Sequence, residues 1–209
     1  MRKKLEIKVC GNTEHNNLQK VCDLQPDYIG LIFYPGSKRF VHTPKNMSKQ
    51  MSCNAKRVGV FVNAEPGEIA EKADKYQLDY IQLHGDENPD FCAKINEIRP
   101  VFKAFQINKL FNFTQVNNYL SVSYKFLFDT SSATYGGSGK KFDWALLSAY
   151  KANKPFFLSG GIRPEDVQAI LDLNHPQLEG VDLNSGFEVS PGIKDINKLK
   201  EFFYQLRAL

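Results

Sequence analysis

Eight short apolar runs punctuate the chain: 5-LEIKVC-10, 28-YIGLIF-33, 57-RVGVFV-62, 80-YIQLHG-85, 101-VFKAFQI-107, 125-KFLFDT-130, 155-PFFLSG-160 and 180-GVDLNS-185. Each is too short, and too rich in β-branched or aromatic residues, to read first as a globular helix. Several are nearly continuous hydrophobes, the pattern of parallel strands covered by helices. Amphipathic stretches separate them. Thr13 is a cap candidate for a helix over 13–24 with Leu18, Val21 and Cys22 on one side. Pro66, Pro89 and Pro164 stand at first-turn positions of helices over 66–78, 89–98 and 164–173, and 195–209 reads as a terminal helix. Residues 43–52 and the Asn-rich 112–121 have thin periodicity, and are assigned as helices because a parallel connection needs one there. Strand then helix, repeated eight times in 209 residues, predicts an α/β fold of one domain over 1–209, a single (β/α)8 TIM barrel. An open doubly wound sheet is the competitor, but CGNTEHN after the first run lacks the GxGxxG of a dinucleotide site.

Composition narrows the function classes. The 27 basic and 23 acidic residues, net +4, are scattered, whereas a nucleic-acid binder needs a concentrated basic face. Cys10, Cys22, Cys53 and Cys92 form no close pair and read as free thiols in a reducing compartment. With no signal-like hydrophobic region and no long apolar span, the expectation is a cytoplasmic protein that contacts no membrane.

In a barrel, alternate side chains point inward and active-site groups collect at the C-terminal strand ends. Lys8 and Cys10 share one parity, as do Gln82 and His84, Leu127 and Asp129, and Asp182 and Asn184. Buried polar groups of this kind must be paired or functional. The first and eighth strands are neighbours in a closed barrel, so Lys8 and Asp182 are placed to pair beneath the mouth. Cys10 and Asp129 end their strands, where they are a candidate base and acid; a small buried hydrophobe and a helix cap are their structural alternatives.

Metal chemistry is poorly served, because His15, His42, His84 and His175 lie far apart and no HExxH occurs. GxSxG is absent. The segment 136-GGSGKK-141 lacks the upstream glycine and the Ser or Thr of a P-loop. The turns 158-LSGGIRPEDV-167 and 184-NSGFEVSPGIKD-195, after the seventh and eighth runs, suit phosphate better, since backbone N–H groups in such turns hold an anion.

In 7-IKVCGNT-13, 30-GLIFYPGSKRFV-41, 58-VGVFVN-63, 81-IQLHGDE-87, 127-LFDTSSATYGGSGKKFDW-144, 158-LSGGIRPEDV-167 and 180-GVDLNSGFEVSPGIKD-195, the sequence closely resembles the phosphoribosylanthranilate isomerases of tryptophan biosynthesis. The resemblance implies a single barrel without cofactor or metal. It implies a cytoplasmic Amadori isomerase that converts N-(5'-phosphoribosyl)anthranilate to 1-(o-carboxyphenylamino)-1-deoxyribulose 5-phosphate, the third step from chorismate to tryptophan. It assigns the general base to Cys10, the general acid to Asp129, and the anthranilate carboxylate to Arg39. The phosphate falls to the turns at Gly160, Gly161, Ser185 and Gly186; His84 and Asp182 lie near the mouth. Ser138, Lys141 and Asn184 depart from the family's usual residues.

The chemistry suits those residues. Asp129, when protonated, gives its proton to the ring oxygen as the C1'–O bond breaks; Cys10, as thiolate, removes the C2' proton of the resulting iminium ion. Lys8 or the substrate is expected to favour the thiolate. Thr130 to Lys141 reads as a loop able to cover the substrate, and 142-FDW-144 as the start of the next helix. The small-molecule substrate is then the principal partner. A closed barrel predicts a monomer, with a homodimer through exposed Phe33, Tyr34 and Phe40 as the alternative. Another phosphosugar barrel, or a barrel that binds phosphate ligands without catalysis, are the competing functions.

Overall fold

Eight parallel strands close on themselves in the computed structural model, which describes residues 4–42, 53–130 and 141–208. They are β1 (Glu6–Cys10), β2 (Tyr28–Ile32), β3 (Lys56–Phe61), β4 (Tyr80–Leu83), β5 (Val101–Ile107), β6 (Lys125–Thr130), β7 (Phe156–Leu158) and β8 (Leu178–Leu183). Ring closure pairs Lys8 with Asp182 and Val9 with Leu183 across β1 and β8. The chain is therefore a (β/α)8 TIM barrel, and the period-2 alternation read in the sequence is its inside and outside. Ile7, Val9, Ile81, Leu83, Phe126 and Phe128 face outward into the main core beneath the helices. Tyr28, Val58, Phe102, Ala104, Leu127 and Phe157 fill the lumen. Burying each phenyl ring there contributes roughly 1.5–3 kcal/mol.

The covering helices are α1 (His15–Asp23), α2 (Pro66–Lys75), α3 (Pro89–Asn96), α4 (Val167–Asp172) and α5 (Ile196–Arg207). Their apolar stripes are the expected ones: Leu18, Val21 and Cys22 on α1, Ile69 and Ala73 on α2, and Leu199, Phe202, Phe203 and Leu206 on α5 are buried. Several local readings need correction. The cap of α1 is Glu14, whose carboxylate accepts from the Asn16 and Asn17 amides, while the Thr13 hydroxyl donates to the Gly192 carbonyl. The Asn-rich connection forms a 3-10 helix over Phe113–Tyr119 instead of an α-helix, in keeping with its poor helix propensity. The segment after the 131–140 stretch is likewise 3-10, over Trp144–Ala149, capped by Asp143. The helix read over 43–52 and most of the covering loop, with Ser138, lie outside the described residues.

Four cysteines do not remain four thiols. Cys22 on α1 and Cys53 ahead of β3 form a disulfide with a Cα–Cα distance of 5.3 Å, whereas Cys10 and Cys92 are free and buried. Phe33 is not an exposed loop residue: it is buried against Phe61 and Tyr76. No helix among the described residues is long and apolar enough to cross a membrane.

The two ends of the lumen are built differently. At the N-terminal end, the Lys125 ammonium meets Glu6 Oε2 at 2.7 Å and Glu179 Oε2 at 3.1 Å. It also donates to Tyr28 Oη and lies 5.2–5.9 Å from the ring centres of Tyr124, Phe157, Tyr28 and Phe102. At the C-terminal end the lumen opens.

Candidate active site

A cavity opens at the C-terminal mouth of the barrel, where barrel enzymes place their sites. Cys10, Arg39, His84, Asp129, Gly160, Gly161, Asp182 and Ser185 all line it. Gly186 does not. It packs beneath, where a Cβ would fall 2.1 Å from the Ile162 carbonyl oxygen, so it lets the two glycine turns approach each other.

Cys10 ends β1 beside Gly30 of β2, its register partner. A Cβ on Gly30 would lie 2.5 Å from the Cys10 sulfur, so this glycine makes the room in which the thiol sits. The Lys8 ammonium lies one inward position below and bonds Asp182 Oδ2 at 2.9 Å. Burial pushes the Cys10 thiol above its ordinary value, and Lys8 and Lys194 only partly oppose this. Lys8 does pull the thiol toward the thiolate, as expected, but burial outweighs that pull. Burial alone would lower Lys8, but Asp182 and Cys10 outweigh it and hold the ammonium charged. Burial also pushes the Asp182 carboxyl up against the pull of Lys8; at 2.9 Å the charged pair is the form this geometry supports. Asp182 Oδ1 is buried without a hydrogen-bond partner among the described residues, which leaves an acceptor at the cavity wall.

Asp129 is held from three sides. Its Oδ1 accepts from the Thr130 amide at 2.8 Å, and its Oδ2 lies 3.1 Å from His84 Nε2. The Gln82 amide nitrogen is 2.8 Å from His84 Nδ1. With Gln82 donating, Nδ1 is the acceptor and Nε2 carries the proton directed at Asp129. Asp129 accepts in both bonds, so it acts as an acid only after taking up a proton. On the third side is Gly160, with φ +88°; a Cβ there would sit 2.3 Å from Thr130 Oγ1 and 2.6 Å from Asp129 Oδ1. The left-handed backbone and the close approach both require glycine.

Past β7, Arg163 leads into a 3-10 turn over Pro164–Asp166, and past β8 a second 3-10 turn spans Ser185–Phe187. Lys141, a departure noted in the sequence, reaches Asp166 Oδ1 at 2.5 Å and lies over the Trp144 ring.

Two site residues escaped the sequence reading. Arg39 gives its Nε and Nη2 to Glu188, with contacts of 2.9, 3.0 and 2.7 Å. Lys194 Nζ reaches Glu188 Oε1 at 2.7 Å and Asn184 Oδ1 at 2.9 Å. Glu188 and Lys194 sit on a small hairpin, β9 (Glu188–Ser190) and β10 (Ile193–Lys194), that follows β8. Both belong to the quoted motif 184-NSGFEVSPGIKD-195, but nothing in its spacing pairs Glu188 with a residue 149 positions earlier.

A closed barrel that gathers a thiol, a carboxyl with its imidazole, and two glycine turns at one mouth is an enzyme of the acid–base barrel class. A family model described as N-(5'phosphoribosyl)anthranilate (PRA) isomerase matches residues 7–205. The N-(5'-phosphoribosyl)anthranilate isomerase of Parabacteroides distasonis is 48% identical over 204 residues, covering 96% of this chain and 92% of that one. The crystal structure of phosphoribosyl anthranilate isomerase from Thermotoga maritima superposes with a TM-score of 0.84 at 36% identity, covering 98% of this chain and 100% of that one. Another phosphoribosyl anthranilate isomerase, solved in complex with reduced 1-(o-carboxyphenylamino)-1-deoxyribulose 5-phosphate, has a TM-score of 0.83 at 34% identity, covering 98% and 100%. This chain belongs to the N-(5'-phosphoribosyl)anthranilate isomerase family.

Proposed function

We propose that the mouth isomerises N-(5'-phosphoribosyl)anthranilate to 1-(o-carboxyphenylamino)-1-deoxyribulose 5-phosphate in tryptophan biosynthesis, with Cys10 as base and Asp129 as acid. The observation that carries this reading is that both residues line the one cavity that also holds Arg39 and the two glycine turns. A family member bound to the reduced product supports it.

The substrate phosphate rests on backbone N–H groups of the Gly160–Gly161 and Ser185–Gly186 turns, and its anthranilate carboxylate faces the Arg39 guanidinium. Asp129, once protonated, passes its proton to the ring oxygen as C1'–O breaks. The iminium so formed acidifies the C2' hydrogen and, as a cation, favours the Cys10 thiolate that removes it. Proton loss from C2' gives the enolamine, and tautomerisation gives the ketone. Asp182 Oδ1, the unpartnered acceptor, is placed to take a ribose hydroxyl. The protein acts as a monomer in the cytoplasm; the closed strand ring, which leaves no open sheet edge, supports the first, and a phosphorylated substrate unable to cross a membrane supports the second.

The test is direct. Purified protein mixed with the fluorescent substrate should extinguish the anthranilate signal, and no change at high enzyme concentration would remove the isomerase reading in favour of a barrel that only binds phosphate ligands. Sedimentation at micromolar concentration checks the monomer.

A further inference from the structure

Arg39 cannot be described apart from Glu188. The carboxylate takes the Nε and Nη2 edge of the guanidinium, and Nη1 carries no bond among the described residues. The Arg39 and Glu188 side chains are 10% and 5% exposed. An arginine and a carboxylate paired so closely are neutral together, and a neutral pair has little attraction for a second carboxylate. Lys194 changes that balance. Its side chain is fully buried, bonded to Glu188 Oε1 and Asn184 Oδ1, and its backbone amide is tied to Asn17 Oδ1 on α1. Burial pulls the Lys194 ammonium below its ordinary value and Glu188 only partly opposes this; with the ammonium held at 2.7 Å from Glu188 Oε1, the three groups together carry two positive charges and one negative. Burial raises Glu188, but the Arg39 and Lys194 bonds more than offset this and keep its carboxyl below the usual range, so the negative charge is present at neutral pH.

Neither Glu188 nor Lys194 reaches the cavity; Arg39 and Asn184, which they hold, line it. We infer that Glu188 and Lys194 are positioning residues for recognition of the substrate's aromatic carboxylate: Glu188 fixes the plane of the Arg39 guanidinium, and Lys194 leaves the buried triad one positive charge in excess. The incoming carboxylate supplies the charge that balances it. An unbalanced charge in a low-dielectric setting is costly, so the triad favours ligands that bring an anion to this point over those that lack one. The inference rests on the assignment of the anthranilate carboxylate to Arg39.

Binding of two ligands separates the roles. One is reduced 1-(o-carboxyphenylamino)-1-deoxyribulose 5-phosphate, the other its counterpart without the ring carboxylate, each titrated calorimetrically into wild type, K194M, E188D and R39A. The wild type is expected to prefer the carboxylated ligand by on the order of 10–100-fold, the worth of one charged hydrogen-bonded contact. K194M removes the excess charge, and E188D keeps the charge but withdraws the carboxylate by one methylene. Each should cut the preference by roughly 10-fold and leave affinity for the carboxylate-free ligand within about threefold of wild type. Equal weakening of both ligands, or no weakening of either, would overturn the inference. If K194M does not fold, E188D decides alone. R39A distinguishes the two levels: loss of preference there but not in K194M or E188D sinks this inference only, while an R39A that retains the preference sinks the assignment of the carboxylate to Arg39.

Discussion

Two buried lysines at opposite ends of one lumen show what separates a stabilising charge from a working one. Lys125, at the base, is surrounded: two carboxylates, a phenol oxygen and four aromatic rings crowd its ammonium. Lys8, toward the mouth, has one carboxylate partner, and that carboxylate keeps an oxygen unpartnered. A charge enclosed by rings and carboxylates holds the barrel together; one whose partner lines the cavity leaves an acceptor for a substrate. The same residue types serve both ends, so whether the charged group borders the cavity, more than the presence of charge, marks the functional face.

The largest effect should come from removing the proton-transfer groups at the mouth. Cys10→Ala and Asp129→Ala are each expected to lower kcat by roughly 10²-fold or more, with urea midpoints close to wild type; near-normal turnover in either variant would take that residue out of the chemistry. Lys125→Met should do the reverse. It strands Glu6 and Glu179, whose partial exposure lets water reclaim them, so a loss of about 1–3 kcal/mol in urea melts is expected, with kcat/KM within about twofold of wild type. A variant that melts normally but turns over poorly would erase the distinction between the two ends. The Glu6 and Tyr28 partners raise Lys125 above an ordinary lysine although burial works against them. Its contribution to stability is therefore whole below the unfolded value near ~10.4 and is lost only as pH climbs through the higher folded one.

The smallest effect is a pH dependence at the mouth. Burial favours the neutral Cys10 thiol, and the base is the thiolate, so kcat/KM should keep rising with pH beyond the ordinary thiol range near ~8.5. A profile that flattens below that range would show that another group limits proton removal.

What the sequence disclosed follows the reach of its periodicities. Side-chain alternation fixes which face Lys8, Gln82 and Asp182 share, and ring closure makes Lys8 and Asp182 neighbours; both statements hold at the level of register. The cap at Glu14 and the 3-10 geometry of 113–119 turn on local hydrogen bonds that a hydrophobic stripe does not encode. Glu188 and Lys194 were hidden for another reason. They sit on a two-stranded hairpin with a register shift, where alternation gives no direction, and the Arg39 partner of Glu188 is remote in sequence. Gly30 reads as one more strand residue until the Cys10 sulfur is seen against it. Cys22 and Cys53 share no short-range signature, and pairing between distant cysteines cannot be read from spacing.

That disulfide changes the covalent topology of the active site. It closes a loop of separation 31 that includes all of β2, Gly30 and Arg39, so the arginine is borne on a ring of chain instead of a single thread. A single proteolytic cut at any bond between Cys22 and Cys53 would leave one molecule, running as one band in a denaturing gel without reductant and as two fragments with it. The fragment that carries the thiol would then stay covalently joined to the rest of the barrel after a nick that would otherwise let the two parts separate.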